Sequence, residues 1–134
     1  MSSDRSSVFA ELTRATDGLL FQSESDYPLT PLYLDAGGRK TLSAQDVAGM
    51  VNSQEKGPVK IITFEEFFAN ATTERDWQGP RDKETVKKFQ SLVQTLRSLL
   101  YDIKVFRIGD GEVYVLGRTA SGDFAGVSTK VVET

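Results

Sequence analysis

Ile103-Lys104-Val105-Phe106-Arg107-Ile108-Gly109-Asp110-Gly111-Glu112-Val113-Tyr114-Val115-Leu116-Gly117 begins the stretch that decides the fold, and it runs on through Arg118-Thr119-Ala120-Ser121-Gly122-Asp123 to Phe124-Ala125-Gly126-Val127-Ser128-Thr129-Lys130-Val131-Val132. From Ile103 onward the apolar period is two, that of a β-strand. Val105 to Ile108, Val113 to Gly117 and Phe124 to Val132 are separated by turns at Gly109-Asp110-Gly111 and Ala120-Ser121-Gly122-Asp123, whose Asp-Gly and Ser-Gly pairs favour hairpins. The expected result is a C-terminal three-stranded antiparallel meander. Apolar side chains on both faces of such a sheet require cover from both sides.

The preceding residues contain the helices that supply this cover. Ser6 or Ser7 can cap a helix with Val8, Phe9, Leu12 and Ala15 on one face, stopped by Asp17-Gly18. Leu32 to Leu34 suggest a short strand before the turn Asp35-Ala36-Gly37-Gly38, and Ser43-Ala44-Gln45-Asp46 resembles a capping box opening a helix with Val47, Met50 and Val51. After Gly57-Pro58, Val59 to Ile62 form a strand, and Thr63-Phe64-Glu65-Glu66 repeats the capping pattern ahead of Phe67, Phe68 and Ala71. The longest periodic segment, Asp82 to Leu100, aligns Val86, Phe89, Val93, Leu96 and Leu100 on one face, while Lys83, Glu84, Lys87, Lys88 and Arg97 belong to a solvated one. These elements predict an α+β fold: a three-layer α-β-α sandwich around a largely antiparallel sheet.

A chain of 134 residues, 39% hydrophobic and 26% charged, fits one domain spanning 1–134. It has no cysteine and no histidine, which excludes disulfides, thiolate nucleophiles, Cys-ligated zinc and the commonest general base near neutral pH. The expectation is a protein that is not an enzyme and needs no cofactor. A formal charge of -3 and a pI near 5.0 oppose direct nucleic-acid binding and favour a basic partner. No apolar run approaches the roughly 20 residues of a membrane span, and Met1 to Ser7 lack the pattern of a secretory signal, so a cytoplasmic location is expected. Ser53-Gln54-Glu55-Lys56 lacks the companion motifs of acylating enzymes, and Gly109-Asp110-Gly111 lacks the helix and lysine of a phosphate loop.

Three places stand out as candidate sites. Asp17-Gly18-Leu19-Leu20-Phe21-Gln22 leads a hydrophobic run from a helix stop into Ser23, Glu24, Ser25 and Asp26, and Pro28 holds Tyr27 extended. Carboxylates on so short an anchored loop suit a cation or a basic concave surface, and equally a solvated loop. Val131-Val132-Glu133-Thr134 brings a carboxylate, a hydroxyl and the last residue's carboxylate within two positions, an oxygen set suited to magnesium, or else a frayed end. Trp77, the only tryptophan, sits between a polar stretch and Gly79-Pro80, either as a binding anchor or as a core plug; Thr129 is a binding candidate or an ordinary sheet-surface threonine.

Asp-Gly-Leu-Leu-Phe with its Ser-Glu-Ser tip, Ala71-Thr72-Thr73-Glu74-Arg75-Asp76-Trp77, the Lys88-Phe89-Gln90 of the long helix and Ser128-Thr129-Lys130-Val131-Val132-Glu133-Thr134 together resemble the nuclease A inhibitor family. The resemblance covers nearly the whole chain and is weakest from Pro31 to Lys56. It implies the same α-β-α arrangement and a protein that blocks a magnesium-dependent, sugar-non-specific nuclease of the ββα-metal type as a monomer in a 1:1 complex. It further implies that Glu24 enters the active-site cleft, that Thr134 engages the nuclease magnesium directly or through water, and that Trp77 lies at the contact. What the residues themselves leave open is an acidic interaction module with another partner, or a carboxylate-based magnesium enzyme.

Overall fold

The computed structural model describes residues 4–22, 26–35, 38, 43, 46–47, 49, 59–69, 71–109 and 111–131, with 4, 5, 21, 22 and 26 as backbone only. The expected meander is present: β5 (Tyr101–Ile108), β6 (Glu112–Arg118) and β7 (Phe124–Lys130) pair consecutively and antiparallel. The preceding elements are α1 (Asp4–Thr16), β1 (Leu20–Gln22), β2 (Asp26–Pro28), β3 (Thr30–Leu34), β4 (Val59–Ile62), α2 (Phe64–Phe68) and α3 (Pro80–Leu99). β3 and β4 complete a five-stranded antiparallel sheet in the order β3-β7-β6-β5-β4. β1 and β2 form a separate two-stranded hairpin, Leu20 opposite Pro28 and Gln22 opposite Asp26.

Strand alternation sorts the sheet's side chains into two cores. Val105, Val113, Val115, Ala125 and Val127 face Val8 and Leu12 of α1, Phe64 and Phe68 of α2, and Phe89, Leu92 and Leu96 of α3. Their neighbours Phe106, Ile108, Leu116 and Phe124 point the other way and pack with Val47, which is fully buried. Val47 follows a capping pair in which the Ser43 amide donates to Asp46 Oδ2 and the Asp46 amide to Ser43 Oγ, both at 3.1 Å. The apolar stripe of α3 is buried at Val86, Phe89, Leu92 and Leu96, each contributing about 2 kcal/mol by removal from water. Thr63 caps α2, its hydroxyl accepting from the Glu66 amide at 3.1 Å. No helix among the described residues is long and apolar enough to cross a membrane.

The structure departs from expectation in three places. α1 begins at Asp4, so Ser6 and Ser7 lie inside its first turns and do not cap it. β5 begins at Tyr101, ahead of the run Val105 to Ile108, because a register shift between Tyr101 and Lys104, with Asp102 at φ 55°, interrupts the alternation that marks a strand. The segment after Gly18 is a hairpin, which places Asp26 in β2 and not in the tip. Met50, Val51 and Gly57-Pro58 lie outside the described residues.

β7 sits between two strands and is packed closely against both. Gly126 opposes Leu32 of β3 and Leu116 of β6, and a Cβ there would overlap the Val115 carbonyl. Only glycine allows the backbones this approach.

Candidate functional site

Thr30 pairs with Ser128, Glu112 with Lys130 and Val59 with Ile108, so one end of the sheet collects the starts of β3, β4 and β6 and the finishes of β5 and β7. Beyond Thr30 the ladder between β3 and β7 stops, and the chain behind it turns through Leu29 into the β1–β2 hairpin. Leu19 and Leu29 flank the hairpin's base and are buried, the Leu29 amide donating to the Leu19 carbonyl at 3.4 Å. Strands β1 and β2 therefore lie beside this end of the sheet. Glu24, Ser23 and Ser25 lie outside the described residues; Asp26 opens β2, and its side chain is not described.

The last described residue leaves at the same end. The Val131 amide donates to the Gly111 carbonyl at 2.9 Å, in the turn between β5 and β6, and Val131 is 7% exposed. A Cβ on Gly111 would overlap the Val131 carbonyl, so the turn hugs the outgoing chain. Glu133 and Thr134 follow and lie outside the described residues.

Thr129 is described in full, and its hydroxyl faces inward. It is 8% exposed, and its single proton is shared between the carbonyls of Pro28 at 3.1 Å and Tyr27 at 3.4 Å. On the opposite side of β7, the Lys130 ammonium lies 6.0 Å from the centre of the Tyr27 ring. Tyr27, Pro28, Thr30, Glu112, Tyr114, Ser128, Thr129 and Lys130 line a cavity of about 210 Å³ in the angle between hairpin and sheet. Inside it Tyr114 donates to Glu112 Oε1 at 2.6 Å; burial, reinforced by that carboxylate, holds the phenol pKa well above its ordinary range.

Trp77 lies in the loop that leads into α3. The Arg97 guanidinium lies 3.3 Å from Glu65 and 5.4 Å from the Phe64 ring, just beyond the finish of β4, so the last turn of α3 sits at the far end of the sheet. Its first turn follows the Trp77 loop directly. The loop before it is braced: Gln90 Nε2 donates to the Thr72 carbonyl at 2.9 Å, the Arg75 amide to Gln78 Oε1 at 2.9 Å and the Gln78 amide to the Arg75 carbonyl at 3.1 Å. At the tip of this closed turn the indole is 78% exposed, which excludes the core-plug alternative. A large aromatic held out in water on a fixed turn is a ready contact surface.

Sequence reasoning missed Tyr27, Glu112 and Tyr114 as neighbours of the candidate residues. They come from both ends of the chain, and no local spacing relates them; the restriction that Pro28 places on Tyr27 was the only signal. Among the described residues no group of three or more acidic side chains gathers that could hold a metal ion. The geometry suits recognition of a partner: the β1–β2 hairpin and the finish of β7 meet at one end of the sheet, and an indole stands exposed on a braced turn.

A family model described as nuclease A inhibitor-like protein matches residues 6–134. No curated protein matches the chain.

Proposed function

The chain belongs to the family of nuclease A inhibitor-like proteins, and from that membership we propose that it inhibits a magnesium-dependent, sugar-non-specific DNA and RNA nuclease of the ββα-metal type. The mode of action is occlusion. A nuclease that grips phosphate around magnesium presents positive potential, and Glu24, Glu133 and Thr134 offer competing anionic oxygens with no scissile bond. Glu24 enters the cleft flanked by Ser23, Ser25 and Asp26, and Thr134 reaches the metal that the nuclease holds. Trp77 adds desolvated contact to a 1:1 interface of about 1,600 Å². The protein works by binding, with no cofactor of its own, and its negative charge directs it to the basic cleft and not to the nucleic acid.

The observation that supports this reading best is the meeting of the β1–β2 hairpin and the finish of β7 at one end of the sheet, pinned by Thr129 and by the bond from Val131 to Gly111. Strands β2 and β7, roughly a hundred residues apart in sequence, thereby meet, as a single concave target requires.

The test is to titrate a magnesium-dependent sugar-non-specific nuclease with the protein, assaying DNA and RNA cleavage in parallel. Stoichiometric loss of both activities is expected, relieved by deletion of Thr134. Glu24→Ala should weaken binding by about 2 kcal/mol or more while leaving the unfolding transition in place. A loss below about 0.5 kcal/mol removes Glu24 from the site. Absence of inhibition across several such nucleases favours an acidic interaction module with another class of partner.

A further inference from the structure

A two-stranded hairpin is marginal in water unless something holds it. This one is fastened at its base by Leu19 and Leu29, and among the described residues two consecutive ones of β7, Thr129 and Lys130, support it further along. They act from opposite faces of the strand. The Thr129 hydroxyl takes the Pro28 and Tyr27 carbonyls on one side, and the Lys130 ammonium meets the Tyr27 ring on the other. The Thr129 bonds arise where the ladder to β3 has ended after Thr30–Ser128 and the chain has bent away. A side chain continues the pairing that the backbone can no longer make. Thr129 is too buried to offer its hydroxyl to a partner while it serves this role.

We infer that Thr129 is a positioning residue and not a contact: with Lys130 it clamps the β1–β2 hairpin to the finish of β7, so that the two hairpin strands are held in place before a partner is met. Its effect on inhibition rests on the reading given above; the clamp itself does not. Preorganisation matters because a loose hairpin would have to be ordered on binding, at the expense of affinity. Valine matches threonine in shape and deletes only the hydroxyl, whereas serine keeps it.

Two measurements separate the clamp from the function. In the free protein, hydrogen exchange should accelerate roughly tenfold for the amides of Leu20–Gln22, Asp26 and Tyr27 in Thr129→Val, stay unchanged in β5 and β6, and return toward the parent rate in Thr129→Ser. Lys130→Met, a change at an exposed position that leaves the core intact, should speed the same amides by about threefold and serves alone if Thr129→Val does not fold. Unchanged hairpin exchange, or a uniform rise across the sheet, overturns the clamp. Against a nuclease that the parent protein inhibits, Thr129→Val should weaken inhibition about tenfold, but less than about twofold once Glu24 is alanine. An equal loss in both backgrounds shows that Thr129 acts independently of the hairpin and also overturns the proposal. If the parent inhibits nothing, the functional reading fails and the exchange result still decides the clamp.

Discussion

The meander and the hairpin are both antiparallel β-structure joined by tight turns, yet they are stabilised in opposite ways. Val105, Val113, Val115 and Val127 are wholly or almost wholly buried between neighbouring strands and helices, and β7 approaches β6 so closely that Gly126 cannot bear a side chain. Among its described side chains the hairpin has buried residues at its base, Leu19 and Leu29, then a shared hydroxyl proton and a cation over a ring. One region is over-determined and the other is held by a few replaceable contacts. On the function proposed above, recognition falls to the second, since a segment that meets a partner cannot also be buried in the core and its shape has to be imposed from the scaffold.

The sharpest way to break this contrast is to damage the scaffold. Gly126→Ala drives a Cβ into the Val115 carbonyl and should cost about 3 kcal/mol or more in denaturant unfolding, with loss of the native fold in the limit. A cost under about 1 kcal/mol would mean that β7 can shift, and that the scaffold is not the rigid partner. Trp77→Ala probes the opposite case: the indole is 78% exposed, so stability should change by less than about 0.5 kcal/mol while nuclease binding weakens by about 2 kcal/mol. The reverse pattern, measured by unfolding and by calorimetry, would make Trp77 structural.

The smallest effect concerns Tyr114, at the junction of the two regions. Burial and the Glu112 carboxylate raise its pKa above the ordinary 10.0. Below about pH 10 the phenol is neutral in both folded and unfolded chains and adds no pH dependence; above it the unfolded chain ionises first, and stability falls as pH rises. Tyr114→Phe should therefore flatten the decline of the denaturation midpoint between about pH 10 and 11. Equal slopes for parent and variant would show that the phenol is no more constrained than in the unfolded chain.

What was legible in the sequence follows from how local each signal is. The turns that close β5–β6 and β6–β7, the caps at Ser43 and Thr63 and the buried stripe of α3 are each written within a few residues, and each is present. The hairpin was not recognised, because Ser23-Glu24-Ser25 has neither the glycine nor the asparagine that usually marks a tight turn, and Leu19-Leu20-Phe21 shows no alternation. Asp102, at positive φ, concealed the first residues of β5. Nor did any local pattern disclose that β3 pairs with β7, and this non-local pairing sets the hairpin beside Thr129. Trp77 was legible as a candidate, but its exposure became visible only with the Gln78 and Gln90 braces in place.

The sheet order β3-β7-β6-β5-β4 also has a consequence in time. During synthesis β3 emerges early and waits without its sheet neighbour until β7, far along the chain, has followed, so the slow closing of a large loop falls at the end of folding. The hairpin gains the Thr129 bonds at that same late moment, and a chain interrupted before β7 would lack them. On the function proposed above, competence to bind is thereby reserved for molecules whose translation has run through Lys130.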